Sequence, residues 1–551
     1  MPNFPQANAP EQMAAPSPRT VSTMPLPQAG ERPTVYADRV GAWYVARQSD
    51  QQRKAHGLYL TPVLVADFMA RQITVDGPTL RVLDPAAGAG VLCCAAVEAL
   101  ISHTPKPQTI ELVVYEVDEQ LTVLLHTVLD YLATWCSGRG VTLTAHVSTT
   151  DFILAHAEAL RLFGAPVLSR PKERGFDLVI ANPPYFKIGK ADPRATAAAG
   201  VVHGQPNIYA LFMAVSAALL GERGAFLFLT PRSFASGPYF RQFRTIFFDM
   251  IRPTTVHVFG SRRDAFSRDE VLQENVIVCG LRQDRWHESI ERLVISSSRG
   301  IRDIEEAARR AVPLHTALDL AAVDRVLRLP ICDTDDAALA LVDAWPSSLH
   351  RLGLRISTGP VVPFRATALI DKEGLVPARH VPLLWMNHVH AMQITWPLDR
   401  HKPEYIARTG AEPLLVPNKN YVLLRRFSAK EEARRLTAAP YIAADFALPA
   451  VGLENHLNYI YRPDGTLSED EAWGLAALYN SRLLDTYFRV VNGNTQVSAT
   501  ELRAMPLPAG ETIITLGRRV KRRADPLSDL DPLVMSLVAS PAPKEVAVGE
   551  R

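Results

Sequence analysis

Short β-branched runs alternate with longer helix-like stretches from about Tyr36 to Arg282, and this alternation constrains the fold more than any other feature. Parallel strands must be joined by crossovers, which are usually helices, so the alternation predicts βαβ units. We therefore predict an α/β fold built on a doubly wound, mostly parallel sheet. No helix is evident between the last two predicted strands, which favours a hairpin there. The predicted strands are Leu80–Leu83, Ile110–Tyr115, Leu143–Val147, Asp177–Ile180, Ala225–Leu229, Thr255–Phe259 and Val276–Cys279.

Composition divides the rest of the 551-residue chain. The first 33 residues contain eight prolines and few bulky apolar groups, which is typical of disorder. A charged, alanine-rich stretch follows the sheet, and beyond it the pattern is irregular, with helices predicted at Ser428–Leu436 and Glu469–Val491. The predicted organisation is a disordered tail at 1–34, a sheet domain at 35–296, a helical connector at 297–343, a second domain of mixed α+β structure at 344–524 and a flexible tail at 525–551.

Charge is distributed unevenly along the chain, although the formal net charge is only +2. Residues Pro346–Arg523 hold 23 Lys and Arg against 16 Asp and Glu, so this part is basic and the remainder is acidic. Such asymmetry is expected if only the C-terminal half meets a polyanion, although a merely solvated basic surface would look the same. The sequence has no apolar run long enough to span a bilayer and no evident signal peptide. The five cysteines have no C-x-x-C spacing, which argues against a zinc site or a disulfide framework.

Three carboxylate-bearing segments follow predicted strands. The first is Asp84-Pro85-Ala86-Ala87-Gly88-Ala89-Gly90, whose glycines allow a tight turn and a close approach to a ligand. Glu116 follows the second strand, where an acid suits a ribose diol, and Asp151-Phe152 follows the third. Cys93 replaces the third glycine of the dinucleotide fingerprint, so a nucleoside ligand of another kind is indicated. A plain strand-to-helix turn and a helix-capping role for Asp151 remain alternatives.

The segment Asn182-Pro183-Pro184-Tyr185 follows the fourth strand. Two consecutive prolines fix φ and remove two backbone donors, so this strand end presents acceptors. Asn182 adds a side-chain acceptor and Tyr185 adds an aromatic face. We predict that this segment holds a planar group bearing an NH₂.

Together these motifs resemble the gamma class of S-adenosylmethionine-dependent DNA adenine-N6 methyltransferases, in which the cofactor motifs precede the catalytic motif and a target-recognition domain lies C-terminal. The resemblance continues through Leu229–Phe234 and Val271–Asn275. It extends into Tyr421–Ser428 and Gly493–Thr500, which are similar to the branch found with type II restriction systems, including PstI-like modification enzymes. The matching strings span roughly residues 50 to 508.

The resemblance implies a class I Rossmann-like methyltransferase fold and a set of site residues. Asn182 and the Pro183 carbonyl would accept hydrogen bonds from the target amine, with Pro184 in the same motif. Tyr185 would stack on the flipped base, so its exchange for phenylalanine is expected to be tolerated, and Phe266 would form a second aromatic wall. Arg425 and Arg426 would contact DNA, and no metal is implied. S-adenosylmethionine would be bound by Tyr59, Thr61, Pro62, Asp84, Ala86, Gly88, Gly90, Glu116, Asp151 and Phe152.

The implied partners are double-stranded DNA and a separate restriction endonuclease, in a bacterial cytoplasm close to the nucleoid, with no membrane. Three other functions share parts of this pattern. A protein-glutamine N-methyltransferase would use the same Asn-Pro-Pro-Tyr motif, but such enzymes lack a large basic C-terminal domain. An RNA base methyltransferase would also use it. A catalytically silent DNA-binding subunit would need neither an intact glycine loop nor the Asn182–Tyr185 motif.

Overall fold

The structure is a computed structural model, which describes residues 24–49, 60–161, 175–201, 207–260, 274–283, 286, 291–371, 379–398, 402–428, 432–446, 448–492 and 496–539. A nine-stranded sheet forms the centre of its N-terminal part. The strands are β1 (Thr79–Asp84), β2 (Thr109–Tyr115), β3 (Thr142–Ser148), β4 (Phe176–Ala181), β5 (Leu220–Pro231), β6 (Ile251–Phe259), β7 (Asn275–Arg282), β8 (Arg292–Ser298) and β9 (Ala308–Pro313). Their order is β3-β2-β1-β4-β5-β7-β6-β8-β9.

Strands β1 to β5 are mutually parallel, whereas β7 runs antiparallel between β5 and β6. All seven predicted strands are present, and the antiparallel pairing predicted for the last two is confirmed. The chain reverses direction across the sheet between β1 and β4, which are neighbours although β2 and β3 separate them in sequence. Ligands of open α/β sheets bind at such a switch point.

Helices cover both faces of this sheet. They are α1 (Pro33–Val45), α2 (Val63–Ala70), α3 (Val91–Ile101), α4 (Glu119–Ser137), α5 (Phe152–Ala155), α6 (Ala157–Arg161), α7 (Pro193–Ala197), α8 (Ile208–Leu219) and α9 (Arg241–Met250). Side chains of β4 alternate between two cores: Leu178 and Ile180 pack with α1 to α4, whereas Val179 and Ala181 pack with α8 and α9. Since successive strand side chains point to opposite faces, this alternation confirms the doubly wound sheet.

The secondary structure of residues 297–343 differs from the predicted helical connector. Strands β8 and β9 extend the sheet past residue 296, followed by two helices, α10 (Leu314–Ala317) and α11 (Asp333–Asp343). The alanine- and arginine-rich sequence of β9 suggested a helix, but it forms an edge strand, in which Arg309 is exposed and Arg310 pairs with Asp333 and Asp336 of α11; charged side chains are common on edge strands. The core under the sheet continues to Leu329, and the C-terminal core begins with Leu339.

The C-terminal part is built from short strands and five helices among the described residues. The strands are β10 (Arg355–Thr358), β11 (Ile370–Asp371), β12 (His380–Leu384), β13 (Val389–His390), β14 (Gln393–Ile394), β15 (Tyr405–Ala407), β16 (Leu415–Pro417), β17 (Tyr421–Arg425), β18 (Ala438–Tyr441), β19 (Ala450–Leu453) and β20 (Leu457–Tyr461). They form sheets in the orders β10-β20-β17-β18 and β11-β15-β12-β19-β16, with a β13–β14 hairpin. The helices are α12 (Glu469–Tyr479), α13 (Arg482–Val491), α14 (Ala499–Ala504), α15 (Gly510–Lys521) and α16 (Leu530–Val538).

Three predictions for this part are corrected. The helix predicted over 469–491 is broken between α12 and α13, because Ser481 caps the start of α13 and Asn480 bonds to the backbone of Ala438. Residues 432–437 are not helical, since their N–H groups at 435 and 436 bond to a side-chain carboxylate. The predicted flexible tail contains α16, whose apolar stripe packs into the C-terminal core.

At the N-terminus, the predicted tail ends earlier than residue 34. Residues 1–23 lie outside the described part, but the Glu31 carbonyl accepts a hydrogen bond from Tyr131, and Arg32 pairs with Asp67 and Glu98. None of the helices in the described ranges is both long and apolar enough to cross a bilayer.

Candidate active site

A cavity of about 590 Å³ lies at the carboxyl edge of strands β1 to β4. Each of these four parallel strands ends at the same edge of the sheet, so the segments that follow them converge there. The predicted residues that line the cavity are Thr61, Ala86, Gly88, Glu116, Asp151, Phe152, Asn182 and Pro184. Predicted residues from five separate segments of the chain thus lie around one cavity.

Asp84 ends β1 and lies under the cavity, fully buried. One carboxylate oxygen, Oδ1, accepts a hydrogen bond from the Ala86 N–H (3.2 Å), whereas Oδ2 has no hydrogen-bond partner among the described residues. Burial raises the pKa of Asp84 to about 7, and the charge of Glu116 adds to the rise. A buried carboxylate with an orphaned oxygen is suited to a cationic or hydrogen-bond-donating ligand.

The glycine turn connects Asp84 to α3. Gly88 and Gly90 both have positive φ, at 57° and 89°, a backbone region that favours glycine. A Cβ at Gly90 would lie 3.0 Å from Leu125 Cδ1, and one at Gly88 would lie 3.3 Å from Leu60 Cδ2. The turn therefore needs glycine at both positions to bring its backbone against the cavity.

Glu116 follows β2 and faces the same turn. Its carboxylate accepts hydrogen bonds from the backbone N–H groups of Gly88 (2.9 Å) and Asp118 (2.8 Å). Burial raises the pKa of Glu116, and these two N–H groups oppose the rise. Beside it, Asp118 caps α4 and accepts a 2.6 Å hydrogen bond from the Tyr44 hydroxyl, so α1 also contributes to the cavity wall.

Asp151 and Phe152 follow β3. Asp151 caps α5 through the Leu154 N–H, so the capping alternative is realised, while its second oxygen lies 3.4 Å from Arg194 Nη1. Arg194 also binds the carboxylate of Asp192 through two nitrogens. The Phe152 ring is buried and stacks on Phe212 at 5.4 Å. Both residues thus combine a local structural role with a place in the cavity wall.

The Asn182–Tyr185 segment follows β4. Asn182 Nδ2 donates to Thr61 Oγ1 (3.1 Å), and Asn182 Oδ1 accepts a short hydrogen bond from the Tyr185 hydroxyl. The same hydroxyl lies 3.0 Å from the carbonyl oxygen of Leu229 on β5. Burial raises the pKa of Tyr185 well above its usual value, so the hydroxyl stays protonated and able to donate. Thr61 and Tyr185 therefore fix the orientation of the Asn182 amide.

This hydrogen bond changes the expectation for Tyr185→Phe. The variant keeps the ring but loses the donor to Asn182 Oδ1, so we expect turnover to fall about fivefold, since one hydrogen bond contributes about 1 kcal/mol. Tyr185→Ala should fall further because the ring is lost as well. The control is Tyr209→Phe, which removes a nearby hydroxyl bonded to Ser233 Oγ. Turnover of Tyr185→Phe equal to that of Tyr209→Phe would show that the hydroxyl has no positioning role.

The other predicted residues are placed as follows. Pro62 precedes α2, Gly90 precedes α3 and Pro183 adjoins Asn182, whereas Tyr59 and Phe266 lie outside the described residues. Arg425 and Arg426 lie at the end of β17, remote in sequence from the cavity. Arg425 Nε donates to the Val389 carbonyl and Arg426 Nη1 to the Asn455 carbonyl, so both guanidinium groups also hold neighbouring loops.

Among the cavity residues that the sequence analysis missed are two polar side chains, Tyr44 and Arg194. Tyr44 comes from α1, which precedes all the motifs, and only its contact with Asp118 brings it to the site. Arg194 lies on α7, where the sequence Asp192-Pro193 has a helix-start signature that locates the helix. No sequence signal indicates that the arginine turns toward Asp151.

Comparison with known proteins agrees with this arrangement. The profile of a family described as Eco57I restriction-modification methylase matches residues 142–266. The chain is 33% identical over 472 residues to the type II methyltransferase M.BsuBI of Bacillus subtilis, an alignment covering 84% of this chain and 90% of that protein. It is 31% identical over 470 residues to the type II methyltransferase M.PstI of Providencia stuartii, covering 85% and 90%.

Two solved structures are also similar. One is the cryo-EM structure of a DrdV–DNA complex, at 14% identity and a TM-score of 0.47, covering 88% of this chain and 59% of that one. The other is the type IIG restriction endonuclease BpuSI, at 13% identity and a TM-score of 0.41, covering 91% and 68%.

The sheet order and the cavity at its switch point define a doubly wound α/β protein with a ligand site at the carboxyl ends of its strands. The chain belongs to the type II DNA methyltransferases of restriction-modification systems. The cofactor of this family is S-adenosylmethionine.

The residues around the cavity fit this cofactor on three observations. A buried carboxylate oxygen of Asp84 has no donor among the described residues. The glycine turn, in which a Cβ at Gly88 or Gly90 would press on a leucine side chain, presents the backbone of Gly88 to the cavity. Of the three strand-end carboxylates, Glu116 and Asp151 line the cavity, and Asp84 is buried directly before the lining residues Pro85 and Ala86; this set suits a molecule that carries an ammonium group, a ribose diol and an amine.

Proposed function

We propose that this protein transfers a methyl group from S-adenosylmethionine to the N6 amino group of a flipped-out adenine in duplex DNA. The observation that supports this proposal most directly is the position of the Asn182 amide, which hydrogen bonds with Thr61 and Tyr185 hold at the edge of the cavity. Its Oδ1 is an amide oxygen, an atom type that can accept two hydrogen bonds. With the Pro183 carbonyl, it provides two acceptors for one amino group.

Two acceptors on the amino group would make its nitrogen a better nucleophile. The lone pair of an adenine amino nitrogen is delocalised into the ring, so the nitrogen is a weak nucleophile. Asn182 Oδ1 and the Pro183 carbonyl favour the pyramidal, lone-pair-localised nitrogen and so stabilise the transition state more than the ground state. The bound S-adenosylmethionine supplies an already activated methyl group on its sulfonium.

Binding of the cofactor is assigned to the residues at the strand ends. Asp84 is proposed to stabilise the cationic methionine end, together with Thr61, Pro62, Ala86 and Gly88. Glu116 would accept from the ribose hydroxyls, since its carboxylate already faces the cavity. Asp151 would accept from the cofactor's adenine amine, with Phe152 against the ring.

The target base must leave the helix to reach Asn182. Unstacking costs a few kcal/mol, and stacking on an aromatic side chain returns about 1–3 kcal/mol of this. We assign this role to Tyr185, whose ring also packs edge-on against Tyr209 at 6.3 Å. Phe266 remains our proposal for the second wall.

Recognition of the DNA sequence is assigned to the basic C-terminal part, including Arg425 and Arg426. We take the boundary between the two parts to lie at about residues 330–338, since Leu329 belongs to the core under the sheet and Leu339 to the C-terminal core. In the cell, we propose that the modification protects host DNA against a separate restriction endonuclease.

This division of labour predicts the behaviour of a fragment that ends at Ile331. We expect the fragment to keep its affinity for S-adenosylmethionine, because every described cavity residue precedes residue 213. Specific DNA binding should be lost, since the basic surface is removed. Calorimetry with the cofactor reports both folding and affinity, and a mobility-shift assay reports DNA binding. A fragment that still methylates the same sites would contradict the division.

The acceptor class is tested with methyl-labelled cofactor and three acceptors: duplex DNA, RNA of the same sequence and a glutamine-containing protein substrate. We expect label in DNA alone. The RNA and protein arms represent the two enzymatic alternatives, and absence of label in every arm is the result expected of a catalytically silent subunit.

A further inference from the structure

Arg232 is a buried arginine that directly follows β5. Its side chain is 4% exposed, and its Nη1 donates to Glu274 Oε1 (2.9 Å), whose side chain is 2% exposed. The backbone N–H of Arg232 also donates to the Glu274 carbonyl (2.7 Å). This pair therefore joins the carboxyl end of β5 to the residue that precedes β7.

The other end of the guanidinium contacts the C-terminal part of the chain. Nη2 donates to the carbonyl oxygens of Arg489 (3.0 Å) and Val490 (2.6 Å), at the end of α13. Carbonyls in the last turn of a helix lack intrahelical donors and carry partial negative charge. A planar guanidinium can satisfy these carbonyls and a carboxylate at once, which a lysine cannot.

This contact connects the strand end next to Tyr185 with the helix that holds the segment after β17. Arg232 is three residues beyond Leu229, whose carbonyl lies within hydrogen-bond distance of the Tyr185 hydroxyl. On α13, Asp485 accepts hydrogen bonds from the N–H groups of Arg435 (2.6 Å) and Leu436 (2.9 Å). Helix α13 is thus fixed at its end to the catalytic sheet and along its side to the segment after β17.

The segment that joins the two cores also contacts the end of α13. The Leu329 N–H donates to the Val490 carbonyl (3.3 Å), so the end of α13 contacts both the linker and Arg232. A buried cation is costly to desolvate. The hydrogen-bond partners of the Arg232 side chain described above, Glu274, Arg489 and Val490, do not line the cavity. These partners point to a role in holding the two parts in register.

We propose that Arg232 is a positioning residue: it locks α13 against the carboxyl end of β5, so that DNA held by the C-terminal part is presented in register with Asn182 and Tyr185. The inference rests on the proposed assignment of recognition to that part. It adds a determinant of turnover that touches neither DNA base nor cofactor.

Arg232→Lys in the full-length protein tests this proposal. Lysine keeps the charge opposite Glu274 but cannot span to both carbonyls of α13. A misplacement of about 1 Å can cost roughly 100-fold in rate, so we expect a single-turnover rate about 100-fold lower than wild type. The affinities for S-adenosylmethionine and for unmethylated duplex DNA that contains the target sequence should stay within about threefold of wild type, because the residues that bind these two ligands are unchanged.

The matched control is Arg282→Lys. Arg282 is also a buried arginine, 3% exposed, but it ends β7 at the opposite edge of the sheet and donates to the Ala217 carbonyl. It should lower thermal stability similarly and leave the single-turnover rate near wild type. Glu274→Gln removes the carboxylate charge that anchors Arg232, and should lower the rate in the same direction; it carries the test if Arg232→Lys fails to bind cofactor.

A wild-type single-turnover rate in these Arg232 and Glu274 variants would overturn the proposal. So would a rate loss equalled by Arg282→Lys, or one fully accounted for by weaker DNA binding. The methylated base is identified separately in the wild-type protein. If it is not adenine, the proposed reaction fails, while the comparison of rates still tests Arg232.

Discussion

Replacing Asn182 by alanine is expected to lower methyl transfer by roughly 150-fold or more while cofactor affinity stays near wild type. In the proposed mechanism Asn182 supplies an acceptor that acts on the reacting nitrogen, so its loss should cost on the order of 3 kcal/mol or more of transition-state stabilisation. The alanine also leaves Thr61 Oγ1 and the Tyr185 hydroxyl without their shared partner. Single-turnover methylation of duplex DNA and calorimetry with S-adenosylmethionine measure the two quantities separately.

Asn207→Ala is a suitable control for this experiment. Asn207 is a half-buried asparagine that pairs with Lys187, close to the catalytic segment, and its side chain does not cap α8. It should show near-wild-type turnover. If Asn182→Ala turns over as fast as Asn207→Ala, Asn182 is not the acceptor of the target amine.

Replacing Asp84 by asparagine is expected to weaken cofactor binding and to remove its pH dependence. Burial holds the pKa of Asp84 at about 7 in the free protein, and a bound cation should lower it. In our proposal the carboxylate form binds the cofactor, so wild-type affinity should fall as pH drops below 7, by up to about tenfold per unit. At pH 8, Asp84→Asn should bind roughly 10- to 150-fold more weakly, corresponding to about 1.5–3 kcal/mol for a charged hydrogen bond.

Two controls separate this effect from unfolding and from net charge. Because burial disfavours the ionised carboxylate above pH 7, the asparagine variant should have a Tm at pH 8 that is equal to or above that of wild type. Glu119→Gln makes the same change of charge at an exposed residue of the cavity rim and should keep the wild-type pH profile. The affinity of the wild-type protein for the cofactor is measured between about pH 6 and 8, a range centred on the pKa of Asp84. If that affinity does not change with pH, Asp84 is not part of the binding site.

The sheet could be predicted because its information is local and periodic. Each of the seven predicted strands is a short apolar run, and helix-length segments separate the first six. Strands joined by such crossovers run in the same direction, so their parallel arrangement follows from chain connectivity. The site residues at Asp84, Glu116, Asp151 and Asn182 could be predicted for the same reason. Parallel strands bring their carboxyl ends together whatever the details of packing.

The features that could not be predicted depend on contacts between distant segments. Strand β9 has helix-favouring composition, but pairing with β8 decides its conformation. Helix α16 and the break at Asn480 are set by packing in the C-terminal core. Arg232 lies within a string that the sequence singled out, yet its partners at 489 and 490 are more than 250 residues away.

The identity of the methylated nucleoside tests the central claim most directly. Duplex DNA is incubated with the wild-type protein and methyl-labelled S-adenosylmethionine, digested to nucleosides and separated, with Asn182→Ala as the matched comparison sample. We expect the label to elute as N6-methyl-2′-deoxyadenosine from the wild-type reaction and to be lower by roughly 150-fold or more in the initial rate of the variant. Label in a cytosine derivative, or equal label in both samples, would contradict it.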